Sequence, residues 1–143
     1  MTMQPSLEQL MGHFARAGRV EWIGIRPASK ANLISVSNVN LDPSYGVQGD
    51  HYAGRSGKRQ VTLIQAEDLP AIASMMQVDV ITPDQLRRNI VVRGLNLLAL
   101  KNKSFRLGAA ILEYTGPCHP CSRMESVLGV GGYNAMRGHG GIT

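Results

Sequence analysis

The first apolar and polar positions of the chain repeat at helical spacing. Leu7, Leu10, Met11 and Phe14 fall on one face of a predicted helix over residues 5–18. Ser6 and the glutamine three residues later form a capping-box pattern, and Gly18 is expected to end the helix. Residues 1–18 are therefore predicted to pack as a helix on the domain or on a partner.

From residue 19 the pattern changes to short strands separated by turns. Runs rich in β-branched residues predict strands over 19–26, 33–39, 60–65, 89–93 and 105–115. One internal helix is predicted over Ala66–Met76, and another short helix is expected to begin near Ser122. Many short strands without a βαβ rhythm favour a mainly β fold, a predominantly antiparallel barrel or sandwich over residues 19–143.

Composition narrows the class of protein further. The 143 residues suit one globular domain, and 43% hydrophobic with 17% charged residues argues against a disordered chain. The sequence has neither a membrane-length apolar run nor a signal-peptide pattern, so we expect a cytoplasmic protein whose two cysteines stay reduced. The net charge of +5 is dispersed along the chain. It favours a small phosphorylated ligand, with no nucleic acid or membrane as partner.

The strongest chemical signal is the segment from Gly116 to Glu125, GPCHPCSRME. Cys121 precedes a predicted helix, where amide dipoles, together with Arg123 and His119, favour the thiolate that acts as nucleophile or metal ligand. Four interpretations remain open on composition alone. The two thiols can form a redox dithiol, contribute half of a zinc site, supply one reactive cysteine, or be small buried residues.

Three further segments are candidates for ligand binding. Asp50 and His51 lie in a glycine-dense stretch, where Asp50 can orient the histidine or cap a turn. Arg87 and Arg88 precede a strand and can clamp an anion, or form surface salt bridges instead. Because neighbouring side chains of an extended segment point to opposite faces, we expect Arg88 to bind the anion and Arg87 to face solvent. The glycines of residues 129–141 form either a phosphate-binding loop or a flexible one.

Taken in order, these segments resemble the MOSC family, named for the C-terminal domain of molybdenum-cofactor sulfurases. The likeness runs from about Val47 to Ile142 and rests on an ordered set of motifs: GDH at 49–51, RQVTLI at 59–64, LRRNIVV at 86–92, FRLG at 105–108, the cysteine segment and the glycine-rich tail. The resemblance implies a β-barrel with a few short helices and a cysteine at the rim of a pocket.

The resemblance also implies a cofactor and a set of site residues. Cys121 would ligate molybdenum in a pterin cofactor (molybdopterin) or carry sulfur as a persulfide, with Cys118 and His119 as catalytic companions. Cofactor contacts are expected from Asp50, His51, Arg59, Arg87, Arg88, Asn89 and Arg123. No pyridoxal phosphate is expected in this chain, because the family's pyridoxal-phosphate sulfurase domain needs a longer one.

Three functions follow from the resemblance. The leading hypothesis is a molybdenum-cofactor oxidoreductase that reduces N-hydroxylated or similar compounds. The alternatives are a sulfur carrier with a persulfide on the cysteine, and a non-enzymatic cofactor-binding module. The expected partners are the phosphorylated pterin, an electron-transfer or sulfurase protein, and a second copy of the chain. Relatives continue with further strands after the glycine-rich tail, so the barrel is expected to lack its last strands and leave an open edge.

Overall fold

The computed structural model describes residues 3–51 and 59–143 of the chain. The helices in these residues are α1 (Leu7–Met11), α2 (Asp68–Met76), α3 (Pro83–Leu86), α4 (Ser122–Leu128) and α5 (Gly132–Met136), with a 3-10 helix at Leu97–Leu100. The strands are β1 (Arg19–Ile25), β2 (Ile34–Ser35), β3 (Leu41–Asp42), β4 (Gly46–Val47), β5 (Leu63–Gln65), β6 (Ile90–Arg93), β7 (Ser104–Leu107) and β8 (Ala110–Glu113).

A four-stranded mixed sheet is the centre of the fold. Its strand order is β2-β1-β6-β5, with β1 antiparallel to both neighbours and β5 parallel to β6. Val20 pairs with Val92 and Ile23 pairs with Ile90, with a shift in register between Val20 and Trp22. The run Ile-Val-Val at the start of β6 is buried throughout, as expected for a strand covered on both faces of a sheet.

Two short antiparallel ladders accompany this sheet. One joins β3 to β4, and the other is the β7–β8 hairpin, which turns at Gly108 with a φ of 59°. Ile142, the residue before the last one, forms an antiparallel bridge with Leu63, through backbone hydrogen bonds of 2.8 and 2.9 Å in the two directions. Gly141 permits this approach, because a Cβ there would lie 1.9 Å from the carbonyl oxygen of Leu63.

The two faces of the central sheet are buried against different elements. Ile64 and Val91 belong to a cluster that includes residues of α2, α4 and α5. Their neighbours Leu63, Ile90 and Val92 point to the other face, where a second cluster includes residues of the 3-10 helix and the β7–β8 hairpin. Because successive side chains of a strand point to opposite faces, β5 and β6 each contribute residues to both clusters.

The predicted mainly β barrel is not confirmed. The strands in the described parts of the chain form separate sheets without a closed ring, five α-helices accompany them, and the β5–β6 pair is parallel. The helices predicted at 66–76 and near Ser122 are confirmed as α2 and α4. The helices α3 and α5 were not predicted: α3 begins at Pro83 after a capping threonine, and α5 forms within the glycine-rich tail.

The N-terminal helix α1 is shorter than predicted. Its capping box is confirmed, since Ser6 Oγ accepts from the backbone N–H of Gln9 at 3.1 Å and Gln9 Oε1 accepts from the Ser6 N–H at 2.8 Å. The helix ends at Gly12 rather than at Gly18. No residue of α1 is buried, so what it packs on stays a prediction. No helix in the described ranges has the length and apolar character needed to cross a membrane.

Candidate functional site

The two cysteines occupy different environments although only two residues separate them. Cys121 is exposed and is the N-cap residue of α4, with extended backbone angles, and its carbonyl accepts from Met124 N–H at 2.9 Å. Cys118 is buried, with 2% of its surface accessible. Both are free thiols. The structure thus confirms the prediction that Cys121 directly precedes a helix.

Cys118 is held by its backbone and by a guanidinium. Its N–H donates to the carbonyl of Gly141 at 2.8 Å. Its sulfur accepts from Nη2 of Arg59 at 3.5 Å, a distance within the range of sulfur hydrogen bonds. Arg59, which the resemblance assigned to the cofactor, therefore contacts the buried cysteine. It places a positive charge next to the loop of residues 116–121, which contains both cysteines and is called the cysteine loop below.

Arg88 is buried and binds three carbonyl groups. Nε donates to Gly140 at 2.8 Å, Nη1 to Leu86 at 3.0 Å and Nη2 to Cys118 at 3.2 Å. Burial lowers the pKa of this guanidinium, and the nearby Arg59 lowers it further. Arg88 thus ties the cysteine loop to the glycine-rich tail, and most of its donor capacity is already used inside the protein.

Asn89 and Asp50 join the starts of β5 and β6 to the end of β1. Nδ2 of Asn89 donates to the carbonyl of Gly24 at 3.2 Å and to Oδ1 of Asp50 at 3.3 Å, while its Oδ1 accepts from the N–H of Thr62 at 3.2 Å. Oδ1 of Asp50 also accepts from the backbone N–H of Arg26 at 2.8 Å. Both buried side chains therefore link the end of β1 to the residues that lead into β5 and β6.

A cluster of cations lies beside the exposed thiol. Arg87 has a φ of 60° and caps the C-terminus of α3, so it does not lie in an extended segment as predicted. Burial lowers its pKa, the charges of Arg26 and Arg123 lower it further, and Cys121 and Asp50 act in the opposite direction. Arg87 therefore shares one electrostatic environment with Arg26, Arg123 and Cys121, whereas the donors of Arg88 are bound to backbone carbonyls.

Arg26 is a site residue that sequence reasoning missed. It follows β1 directly, and its Nη2 lies 3.8 Å from Oδ2 of Asp50. Its Nε is buried and has no hydrogen-bond partner among the described residues. The sequence contained one signal for this residue: a charged side chain between the apolar end of a predicted strand and Pro27. At such a position the end of a strand can present a side chain to a ligand.

The two histidines of the predicted site differ in exposure and in surroundings. His51 is half-buried and donates its backbone N–H to the carbonyl of Arg26 at 2.5 Å. His119 is exposed and lines a cavity of about 550 Å³ together with Pro120, Tyr133, Arg137 and Gly138. The glycine-dense stretch around His51 continues at 52–58, which lies outside the described residues.

Comparison with known proteins agrees with this architecture. The family model of the MOSC domain matches residues 35–139. The crystal structure of the YuaD protein from Bacillus subtilis is similar, with 22% identity, a TM-score of 0.75, and coverage of 88% of this chain and 85% of that one. A hypothetical protein of known structure matches with 20% identity and a TM-score of 0.56, over 85% of this chain and 57% of that one. No curated protein matches.

The chain therefore belongs to the MOSC domain family, which is associated with molybdenum-cofactor sulfurase-like function. The two solved structures support the fold alone. Within residues 3–51 and 59–143, no group of three or more His, Cys, Asp or Glu side chains could hold a metal ion.

Proposed function

We propose that this MOSC domain binds a phosphorylated pterin that carries molybdenum, and acts as an oxidoreductase on N-hydroxylated or similar compounds. The observation that carries the proposal is the exposed thiol of Cys121 beside the cluster formed by Arg26, Arg87 and Arg123. A soft thiolate suits a molybdenum ligand, and planar guanidinium groups suit a phosphate.

The residues present fit such a group. Cys121 supplies one thiol ligand, and no three-residue metal cluster occurs in the described part of the chain, so the other ligands of a metal here would come with the cofactor. The buried Nε of Arg26 has no partner among the described residues. A buried N–H donor without an acceptor is unfavourable, and a phosphate oxygen would relieve that cost.

The chain's own residues then have distinct roles. Arg26, Arg87 and Arg123 bind the phosphate and orient the cofactor. Asp50 and Asn89 position Arg26 through the end of β1, and Arg88 positions the cysteine loop. When bound, the molybdenum centre would supply two-electron transfer to the substrate.

His119 is the group to which we assign proton transfer in this function. It is exposed two residues before Cys121 and lines the 550 Å³ cavity, so its imidazole is accessible to a substrate held there. Imidazole can accept and donate a proton near neutral pH.

Metal and pterin content tests the proposal. The protein would be purified anaerobically under reducing conditions and exposed to molybdenum cofactor, as wild type and as Cys121→Ser, Arg87→Ala and the control Arg16→Ala. We expect equimolar molybdenum and pterin in wild type and control. Cys121→Ser removes the one ligand that the protein supplies to the metal, so it should bind molybdenum and pterin together more weakly, and Arg87→Ala should bind both at least tenfold more weakly. Wild type without pterin or molybdenum would overturn the proposal.

A sulfur carrier is the second candidate, and the free, exposed state of Cys121 favours it. In this function the Cys121 thiolate attacks the outer sulfur of a persulfide on a sulfurase partner, releases the partner's thiolate, and holds the sulfur as its own persulfide. A reducing thiol then supplies the two electrons with which this sulfur passes as sulfide to a metal–sulfur centre. The test is to treat metal-free protein with cyanide, which releases sulfane sulfur as thiocyanate. Thiocyanate from wild type, and none from Cys121→Ser, would support the sulfur-carrier function. If neither assay is positive and the protein self-associates tightly, a non-enzymatic module is the better description.

A further inference from the structure

A cavity of about 490 Å³ lies on the face of the central sheet that packs against the 3-10 helix and the β7–β8 hairpin, and no described residue of the cysteine site lines it. Its lining includes Arg19 at the start of β1 and Val92 near the end of β6. The cysteine site lies instead where β1 ends and β6 begins. We propose that this cavity binds a free, single-chain carboxylate with an alkyl tail. The proposal does not depend on the proposed function.

The walls of the cavity are those of a hydrophobic core. Leu97 and Leu100 of the 3-10 helix are almost fully buried, and Leu95, Phe105 and Leu107 pack against the same cluster. Phe14, between α1 and β1, adds a half-exposed aromatic ring to the lining. An apolar tail entering this space would be removed from water on several sides, which is the driving force for binding alkyl chains.

The same lining carries four cations, Arg16, Arg19, Lys103 and Arg106. The described residues that line it include no aspartate or glutamate. None of the four cations forms an ion pair within the described residues, although Glu21 lies close enough to Arg19 for its own pKa to be lowered. A carboxylate group at the entrance would thus meet positive charge from both the 16–19 segment and the 103–106 segment.

Size and charge together select this occupant. Cavities of 300–1,000 Å³ suit small molecules, and this one combines an apolar interior with a small number of charged groups, the arrangement that binds an amphipathic ligand. A neutral alkyl compound would leave the cations without a partner, and an inorganic anion would leave the exposed apolar part of the lining, including Phe14 and Val20, in water. A single-chain carboxylate satisfies both parts of the lining.

Calorimetric titration with a series of ligands tests the proposal. Decanoate should bind wild type at one site, octanoate should bind about 15-fold more weakly, since each methylene contributes about fourfold, and higher salt should weaken binding of both. Decyltrimethylammonium has the same tail with the opposite charge and should not bind. Equal binding of the cationic and anionic ligands, or no saturable binding of decanoate, would overturn the proposal.

Charge and steric variants place the ligand in this cavity. Lys103→Glu should weaken decanoate binding at least tenfold, whereas Lys101→Glu, outside the lining, should leave it unchanged. Ala17→Trp puts a large side chain into the lining and should block decanoate binding. Ala28→Trp is the control, because Ala28 is also exposed but lies outside the lining, and it should leave binding unchanged. Thermal melts would verify that each variant is folded. If Lys103→Glu binds decanoate as wild type does, the cavity is not a carboxylate site. The same conclusion holds if the wild type is a dimer and Lys103→Glu makes it monomeric, because the cavity would then be an interface between two copies of the chain.

Discussion

Arg88 is a buried cation whose partners are backbone carbonyls. Its three hydrogen bonds reach the end of α3, the cysteine loop and the glycine-rich tail, so one side chain connects three segments that are far apart in sequence. A Cβ at position 140 would lie 2.2 Å from the carbonyl oxygen of Cys118, so the close approach of the tail also requires glycine there.

Replacement of Arg88 should reduce stability rather than ligand affinity. Arg88→Met would keep much of the side-chain volume but leave three buried carbonyls without donors, at about 1–3 kcal/mol for each. We expect the free energy of unfolding to fall by at least about 3 kcal/mol in urea titrations. The exposed control Arg137→Met should change it by less than about 0.5 kcal/mol. A loss at Arg88 no larger than that of the control would contradict this role.

Arg87 should show the opposite pattern. Because it is half-buried beside Arg26, Arg123 and Cys121, Arg87→Met removes a charge from the cation cluster without leaving these carbonyls unpaired. We expect pyrophosphate to bind about tenfold or more weakly by calorimetry, the loss typical of one charge-assisted hydrogen bond. Unchanged pyrophosphate affinity in a folded Arg87→Met protein would exclude this residue from the anion site.

The two thiols should differ in reactivity because they differ in exposure. The Cys118→Ser variant retains the exposed Cys121, whereas Cys121→Ser retains a thiol with only 2% of its surface accessible. We expect iodoacetamide to modify the first variant at least tenfold faster near pH 7, since Cys118 can react only after local opening of the loop. Faster modification of the variant that retains Cys118 would show that the assignment of the reactive thiol is wrong.

Among the elements, α5 depends on a carboxylate that belongs to another helix. Oε2 of Glu125, on α4, accepts from the N–H of Gly131 at 2.9 Å, and Oε1 accepts from the N–H of Tyr133 at 3.0 Å. These two backbone hydrogen bonds lower the pKa of Glu125. The start of α5 is thus capped by α4, which keeps the two short helices together behind the cysteine loop.

The pH dependence of stability should report this cap. A carboxylate whose pKa is lowered on folding stabilises the protein above its unfolded pKa, and that stability is lost as the pH falls through the folded pKa. Glu125→Gln can accept through one oxygen only, so it should melt at a lower temperature than wild type near pH 7. The difference should shrink below pH 4. Glu113→Gln, on exposed β8, is the control and should melt as wild type does.

At the scale of the whole molecule, the last residues of the chain complete the packing of the central sheet. Ile142 is fully buried in the cluster formed by Leu63, Ile90 and Val92, and its backbone pairs with Leu63. The tail also carries the carbonyls that bind Arg88 and the backbone N–H of Cys118. The C-terminal residues therefore connect the central sheet to the cysteine loop, and we expect these parts to unfold together.

Truncation of Ile142 should accordingly destabilise the entire fold. Ile142→Ala would leave a cavity in a closely packed core, at a cost of about 2–5 kcal/mol in the free energy of unfolding. Ile111→Ala removes the same atoms from a side chain that is 74% exposed, and should cost less than about 0.5 kcal/mol. Denaturation curves of the two variants would test this. Similar losses at both positions would contradict the inferred role of the C-terminus.

The local features of this protein follow from residues that are close together in the sequence. The capping box of Ser6, α2, the start of α4 after Cys121 and the apolar runs of β1 and β6 depend on neighbouring residues, and each was predicted from spacing and residue type. The motifs around the cysteine segment also indicated the MOSC family, which the family comparison confirmed.

Which polar side chains reach the site depends on contacts between distant segments of the chain. Arg87 and Arg88 are adjacent and chemically identical, yet the left-handed backbone at Arg87 directs one to the cation cluster and leaves the other among carbonyls 30 and 52 residues away. Arg26 gains its role from a sheet pairing with β6, and β5 lies parallel to β6 only because distant segments meet. Contacts across such separations leave no periodic signal in the sequence, since their partners are set by chain topology.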